Sequence, residues 1–429
     1  MAVGFTVFGT FSAVQFRIYD FTTDYAVGVL TALVLLFLII FWPIPNAHRR
    51  VLILLWLIRT GVTLGLMLAY EARYGLDASY YYLAGKSLSN PLTFLSFGQG
   101  THNIQAIVGL LAYIDDSYSM MKVIFSYVGL IAVYIFYRCA VICLGGERIV
   151  LLYLLGLLPS LLFWTSILGK DPIVLLGIAI YSYGVVGMIV RQKMPMFAYV
   201  VIGLAIASFI RIWLGLIFVV PLIAAYVLAG RSSAFTKVIF VIIAVPSFLL
   251  ALQGFSGKFN VETTEDLVST TQQISSSWSR GGSAQEIQGG LNSIGSMVAF
   301  APIGAFTALF RPLPFEVPNL FGMMAGIENA LLLMLFVVGL SRRGFSWIHQ
   351  PILLWAASSL FIWGTIYGFV SYQNLGTAFR FRTQIAPILL LLGLYLTYSH
   401  LLSPDRAPRR HVWPFSQNQG KPAPSKSDG

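Results

Sequence analysis

Ile149-Val150-Leu151-Leu152-Tyr153-Leu154-Leu155-Gly156-Leu157-Leu158-Pro159-Ser160-Leu161-Leu162-Phe163-Trp164-Thr165-Ser166-Ile167-Leu168-Gly169-Lys170-Asp171-Pro172-Ile173-Val174-Leu175-Leu176-Gly177-Ile178 reads as two apolar segments meeting at one charged dipeptide. A helix needs about 20 apolar residues to cross roughly 30 Å of hydrocarbon. The runs 148–167 and 172–190 both meet that length. Further runs lie near 25–43, 50–70, 119–138, 236–253, 323–341, 350–370 and 384–402. The stretch 196–229, interrupted by Arg211, reads as two tightly connected helices. The expected fold is therefore all-α: a polytopic integral membrane protein with about eleven transmembrane helices.

Composition agrees. The 429 residues are 57% hydrophobic and only 10% charged, where soluble domains carry about 25% charge. The net charge of +11 sits largely in short connections and the tail, as His48-Arg49-Arg50, Arg191-Gln192-Lys193, Arg342-Arg343 and Arg406 to Arg410. Such clusters set topology and attract anionic lipid. With no basic soluble domain to hold a duplex, nucleic acid is not an expected partner.

Placing 44–50, 191–195, 230–237 and 342–349 in the cytoplasm puts the N-terminus outside and the C-terminus inside. The long connections 71–118 and 254–322 then fall outside. Segment 293–310 is apolar, but a span there breaks the topology downstream. It reads as an extracytoplasmic re-entrant or interfacial helix. The polar stretch before it suits a mobile lid and a plain connector equally. Residues 1–402 form the expected bundle, and 403–429 a disordered basic cytoplasmic tail. The expected location is the cell's inner (plasma) membrane, with the first span acting as insertion signal because no cleavable leader is evident. Cys139 and Cys143, four apart on one helix, read as small buried apolar residues. No internal repeat and no phosphate-binding GxxxxGK[ST] loop occurs.

The charges within this apolar chain are the functional signal, since a charge in hydrocarbon costs about 2.5–3.5 kcal/mol on insertion scales. Asp77, Lys170, Asp171, Arg211, Arg311, Glu316, Arg380 and Arg382 all fall at or near segment ends, and the threading puts every one outside. Asp77, in Asp77-Ala78-Ser79-Tyr80-Tyr81-Tyr82, can act as a general base toward a sugar hydroxyl, with Glu316 as the second candidate. Tyr80, Tyr81 and Trp164 offer faces for sugar rings. Asp171 before Pro172 fits helix capping. Lys170 at the same helix start fits phosphate binding. Arg211, Arg311, Arg380 and Arg382 add planar, permanently charged forks suited to phosphate. Glu328 stands where it can pair with one of them. Asp115-Asp116 reads as capping and solvation in preference to a chelated divalent cation. His102 is a spare base. No metal ligand set and no cofactor are expected.

These motifs resemble a known group. The Asp77-x-x-Tyr80-Tyr81 setting after an early helix is similar to the first-loop acid of the GT-C superfamily of membrane glycosyltransferases. The run Pro159-Ser160…Phe163-Trp164-Thr165-Ser166…Gly169-Lys170-Asp171 and Arg380-x-Arg382 resemble patterns in that group and in Wzy-type polysaccharide polymerases. The likeness is confined to scattered motifs across residues 70–390, and no second first-loop acid accompanies Asp77. It implies an outward-facing transferase that uses a polyprenyl-(di)phosphate-linked glycan in cell-surface or extracellular polysaccharide assembly, alongside other assembly proteins. The alternatives are a flippase of lipid-linked oligosaccharide and a non-catalytic subunit of an export complex.

Overall fold

The computed structural model describes residues 20–74, 76–229, 234–259, 261–279, 283–285, 291–343 and 350–398. The expected cytoplasmic tail, the N-terminal location and parts of the basic loops lie outside them.

Helices α1 (Phe21–Phe41), α2 (Asn46–Tyr74, with one π turn at Val62–Leu66), α3 (Asp77–Lys86), α4 (Gly100–Ala112) and α5 (Tyr118–Cys143) build the first half. Two short helices follow, α6 (Ile149–Gly156) and α7 (Pro159–Trp164), then α8 (Lys170–Ile189), α9 (Phe197–Ile210) and α10 (Trp213–Ala224). The second half contains α11 (Ala234–Phe259), α12 (Thr264–Trp278), α13 (Ile294–Phe310), α14 (Leu320–Arg343), α15 (Pro351–Ser371), α16 (Leu375–Arg382) and α17 (Ala386–Tyr398). The expected all-helical class holds among the described residues, and the apolar helices are those of a membrane-embedded protein.

The expected count of about eleven spans does not hold. Among the described residues six helices are long and apolar enough to cross a membrane, or seven if α16 and α17, bent by 71°, form one span. The reason is breakage. Pro159 has no N–H to continue the helix of 148–167, so that run splits into α6 and α7 across Leu157-Leu158. The 196–229 stretch breaks at Arg211-Ile212 into two apolar helices, the first 17 residues at most. At 1.5 Å per residue it reaches only about 25 Å. Segment 293–310 forms α13, also a shorter apolar helix, started by a Ser293–Ser296 capping box. The 236–253 run falls within α11, many of whose side chains lie outside the described ones.

Helix α8 packs against both α5 and α9. Its contact with α9 requires small residues: a Cβ on Gly203 would stand 2.2 Å from the Tyr181 nitrogen. In lipid, where helix association rests on close van der Waals fit, such positions fix the crossing. Helix α15 carries the second half, in contact with α10, α12 and α13. These packings bring the starts of α3, α4 and α8, the α9–α10 break and the end of α16 together.

Candidate functional site

At the α7–α8 break the chain turns through Gly169, and Lys170 and Asp171 open α8. Gly169, not Asp171, is the N-cap, and it makes no side-chain cap bond. The capping reading of Asp171 therefore fails. Its fully buried carboxylate instead accepts from Arg380 Nε at 2.8 Å and lies 3.6 Å from Arg211 Nη2. A carboxylate inside an apolar bundle needs such partners, because desolvation disfavours its charged form.

Arg380 joins Asp171 to Asp77. Its Nη1 lies 3.9 Å from Asp77 Oδ2, and its guanidinium stands 5.1 Å from the Trp164 ring centre. Asp77 opens α3, and its side chain is 65% exposed. It is the one carboxylate of this cluster that faces solvent. Lys170 donates to Thr101 Oγ1 at 2.8 Å and lies 5.6 Å from the Tyr81 ring. Burial, with Asp77 adding to it, holds the Tyr81 phenol well above its ordinary value, so Tyr81 is a neutral wall. Arg211 packs its guanidinium 4.4 Å from the Phe381 ring and contacts Tyr367 Oη at 3.5 Å.

The structure thus unites Asp77, Tyr81, Trp164, Lys170, Arg211 and Arg380, residues spread over some 300 positions of chain. Beside them opens a cavity of about 190 Å³ walled by Tyr70, Tyr74, Phe163, Trp164, Phe321 and Phe379. Trp164 belongs to both, with Arg380 over its ring and the cavity at its edge. The residue is 8% exposed, and its ring meets Phe163 and Tyr70 edge-on, which leaves little face for a sugar. Tyr80, 60% exposed, retains that capacity.

Arg382 is placed elsewhere. Its buried guanidinium donates to Glu328 Oε1 at 3.0 Å and to the Leu309 carbonyl at 3.3 Å. Glu328 in turn accepts from the Ser160 N–H at 2.7 Å and the Ser160 hydroxyl at 2.6 Å. This knot ties α16, α14, α13 and α7 together. Arg311 and Glu316 engage each other at 2.8 and 3.1 Å. Glu316 also accepts from the Leu313 N–H at 2.7 Å, so both its oxygens are in use. Asp116 pairs with Lys86 at 3.3 Å, and His102 is exposed beside Phe94. Among the described residues no group of three His, Cys, Asp or Glu side chains gathers.

Several charged features escaped the sequence reading. Lys122 and Glu71 form a buried pair at 2.8 Å. Arg59 is buried, donating to the Ser126 carbonyl at 2.9 Å and to Thr165 Oγ1, which braces the chain beside Trp164. Lys258, near the end of α11, stands 5.6 Å from the Trp213 ring. Arg59 and Lys122 fall inside the runs 50–70 and 119–138, and an ionisable residue within a span is itself a signal. No family model, curated protein or solved structure matches this chain.

Proposed function

We propose that the protein is a membrane glycosyltransferase of the polysaccharide-polymerase kind, acting at the extracytoplasmic face of the plasma membrane on a polyprenyl-(di)phosphate-linked glycan. One observation carries the reading: Lys170, Arg211 and Arg380 converge beside a solvent-facing Asp77 and an aromatic cavity. A cation cluster that meets an apolar cavity through Trp164, which lies under Arg380 and lines the cavity, suits a molecule with a charged phosphate head and a hydrocarbon chain.

In this reading Asp77 takes the proton of an acceptor sugar hydroxyl. The hydroxyl oxygen bonds to the anomeric carbon of the donor, and the bond from that carbon to the phosphate oxygen breaks. The electron pair leaves on the lipid phosphate, where Lys170, Arg211 and Arg380 stabilise the charge that develops. Buried Asp171 holds the two arginines in place. Activation resides in the lipid carrier, so the residues named suffice without a nucleotide site.

The test is reconstitution of the purified protein in liposomes with lipid-linked oligosaccharide. Products longer than the input support the reading. Movement of unextended substrate between leaflets with no new glycosidic bond would end it in favour of a flippase. In cells, loss of the protein should leave unextended lipid-linked units on the outer leaflet; their build-up on the inner leaflet would point the same way as flipping.

A further inference from the structure

The two halves of the bundle meet at a second cavity, at the end opposite the cation cluster. Val186, in its wall, lies about 24 Å along α8 from Lys170 at 1.5 Å per residue. Ile352, also in its wall, lies about 22 Å along α15 from Tyr367, the contact of Arg211. Both helices therefore carry the cavity into the other half of the bilayer. Helices α5 and α8 supply one wall, and α15 and α17 the other, so the space lies on the seam between the first and second halves of the chain.

Its inner wall is buried, as at Phe136, Cys139 and Val186. Cys143, Ile352, Leu391 and Tyr395 are half-buried and mark its open side. The polar tips of its aromatic residues are turned to other partners. Trp355 Nε1 donates to Tyr181 Oη at 2.8 Å within the bundle, and Tyr395 Oη donates to Gln350 Oε1 at 3.0 Å at the mouth. The lining between is apolar, broken only by the Ser182 hydroxyl, which has no hydrogen-bond partner among the described residues.

A tyrosine bonded to an amide at the mouth and hydrocarbon within match the polarity of an amphiphile entering from the bilayer surface. Volume selects its kind. The cavity measures about 40 Å³. An apolar cavity of about 150 Å³ takes a benzene ring, so a sterol or quinone ring does not fit here, whereas a short stretch of methylene chain does. Water is a poor occupant, because it needs two to four polar partners and Ser182 offers one. In a membrane-embedded bundle the apolar molecule on the open side is lipid.

We infer that this cavity is a lipid site, in which one acyl chain of a membrane phospholipid inserts past Tyr395 and Cys143 and fills the seam. The phospholipid belongs to the leaflet at that end of the bundle. Its chain joins the two halves where their own side chains leave a gap. The site does not depend on the sugar-transfer reading, since it stands at the far end of α8 from Lys170 and Asp171.

The full-length protein in nanodiscs of phosphatidylglycerol, with a diazirine at the middle of one acyl chain, tests this by irradiation and mass-spectrometric mapping. Leu33 and Phe37 on the exposed face of α1 report ordinary lipid contact. Buried Phe136 and Cys139 should be labelled to within about threefold of them. Ser182→Leu, which fills the cavity, should cut labelling of Phe136 and Cys139 about fivefold and leave α1 unchanged. Leu391→Trp, at the half-buried mouth, should do the same without altering the packed interior, and a single cooperative melting transition shows that each variant is folded. Absence of label on Phe136 and Cys139 in wild type, or label that both folded variants leave unchanged, would overturn the site. A second copy of the chain seated over the mouth would also overturn it, and would show as a Cys143–Cys143 disulfide dimer on oxidation with no label inside.

Discussion

Asp171 and Asp77 both touch Arg380, and the structure assigns them opposite consequences when their charge is removed. Asp171 is fully buried and lies 2.8 Å from Arg380 and 3.6 Å from Arg211. Asp171→Asn keeps the shape but leaves Arg211 without a countercharge and Arg380 with only the exposed Asp77. Removing one member of a buried ion pair costs about 3–5 kcal/mol, because the other charge stays desolvated. Asp77 is 65% exposed at 3.9 Å from the same arginine, a geometry worth about 0.2–1 kcal/mol. Asp77→Asn should therefore be nearly silent in stability.

Activity should run the other way for Asp77. If it accepts the hydroxyl proton, Asp77→Asn lowers turnover by roughly a hundredfold or more with substrate binding retained. Unfolding free energies from denaturing-detergent titration, together with glycan extension in liposomes, give both readouts on each variant. The cycle formed by Asp171→Asn, Arg380→Met and the double variant isolates the pair, and a coupling of at least about 1 kcal/mol is expected. An Asp171→Asn loss below about 1 kcal/mol, or an Asp77→Asn loss as large as that of Asp171→Asn, would refute the division between the buried anchor and the exposed base.

Glu316→Gln should keep turnover within a few-fold of wild type, since both carboxylate oxygens are committed to Arg311 and the Leu313 N–H; a dead Glu316→Gln beside an active Asp77→Asn would move the base to Glu316. Arg382→Gln and Glu328→Gln should each cost about 3–5 kcal/mol as breaks in a buried pair, and the double variant should recover part of that; additive losses would count against the knot. Arg380→Lys keeps charge but loses the planar fork that holds Asp171 and Asp77, so extension should fall at least tenfold at normal membrane abundance. A cysteine at exposed Ser269 on α12, in a chain with Cys139 and Cys143 replaced, should react with an impermeant thiol reagent from outside, whereas one in 403–429 should not; the reverse pattern would place the cluster at the cytoplasmic face.

What the sequence made legible follows from which interactions are local. Apolar runs mark helices because the backbone must satisfy itself in lipid, and the break at Arg211 could be read from its charge alone. The break at Pro159 was equally present in the sequence, but counting hydropathy over 148–167 hid it. Arg380 and Arg382 show a further gap between reading and structure. Taken together as one phosphate clamp, they are two residues apart on a helix that turns 100° per residue, so they point about 200° apart. Helical geometry already forbids them a common ligand, and the structure gives one to Asp171 and the other to Glu328. Which arginine meets which acid was not legible, since Asp171 and Arg380 are 209 positions apart and their meeting depends on how α8 and α16 pack. Lys258 was hidden for the same reason. It follows an apolar run and precedes a polar one, where a snorkelling lysine is ordinary. Only in the assembled bundle does the α11 end reach Gly98 and set Lys258 by the Trp213 ring that Arg211 also approaches. The gathering of Lys170, Arg211, Arg380 and Lys258 is a property of the assembled bundle, carried by residues whose neighbours in the chain are silent about it.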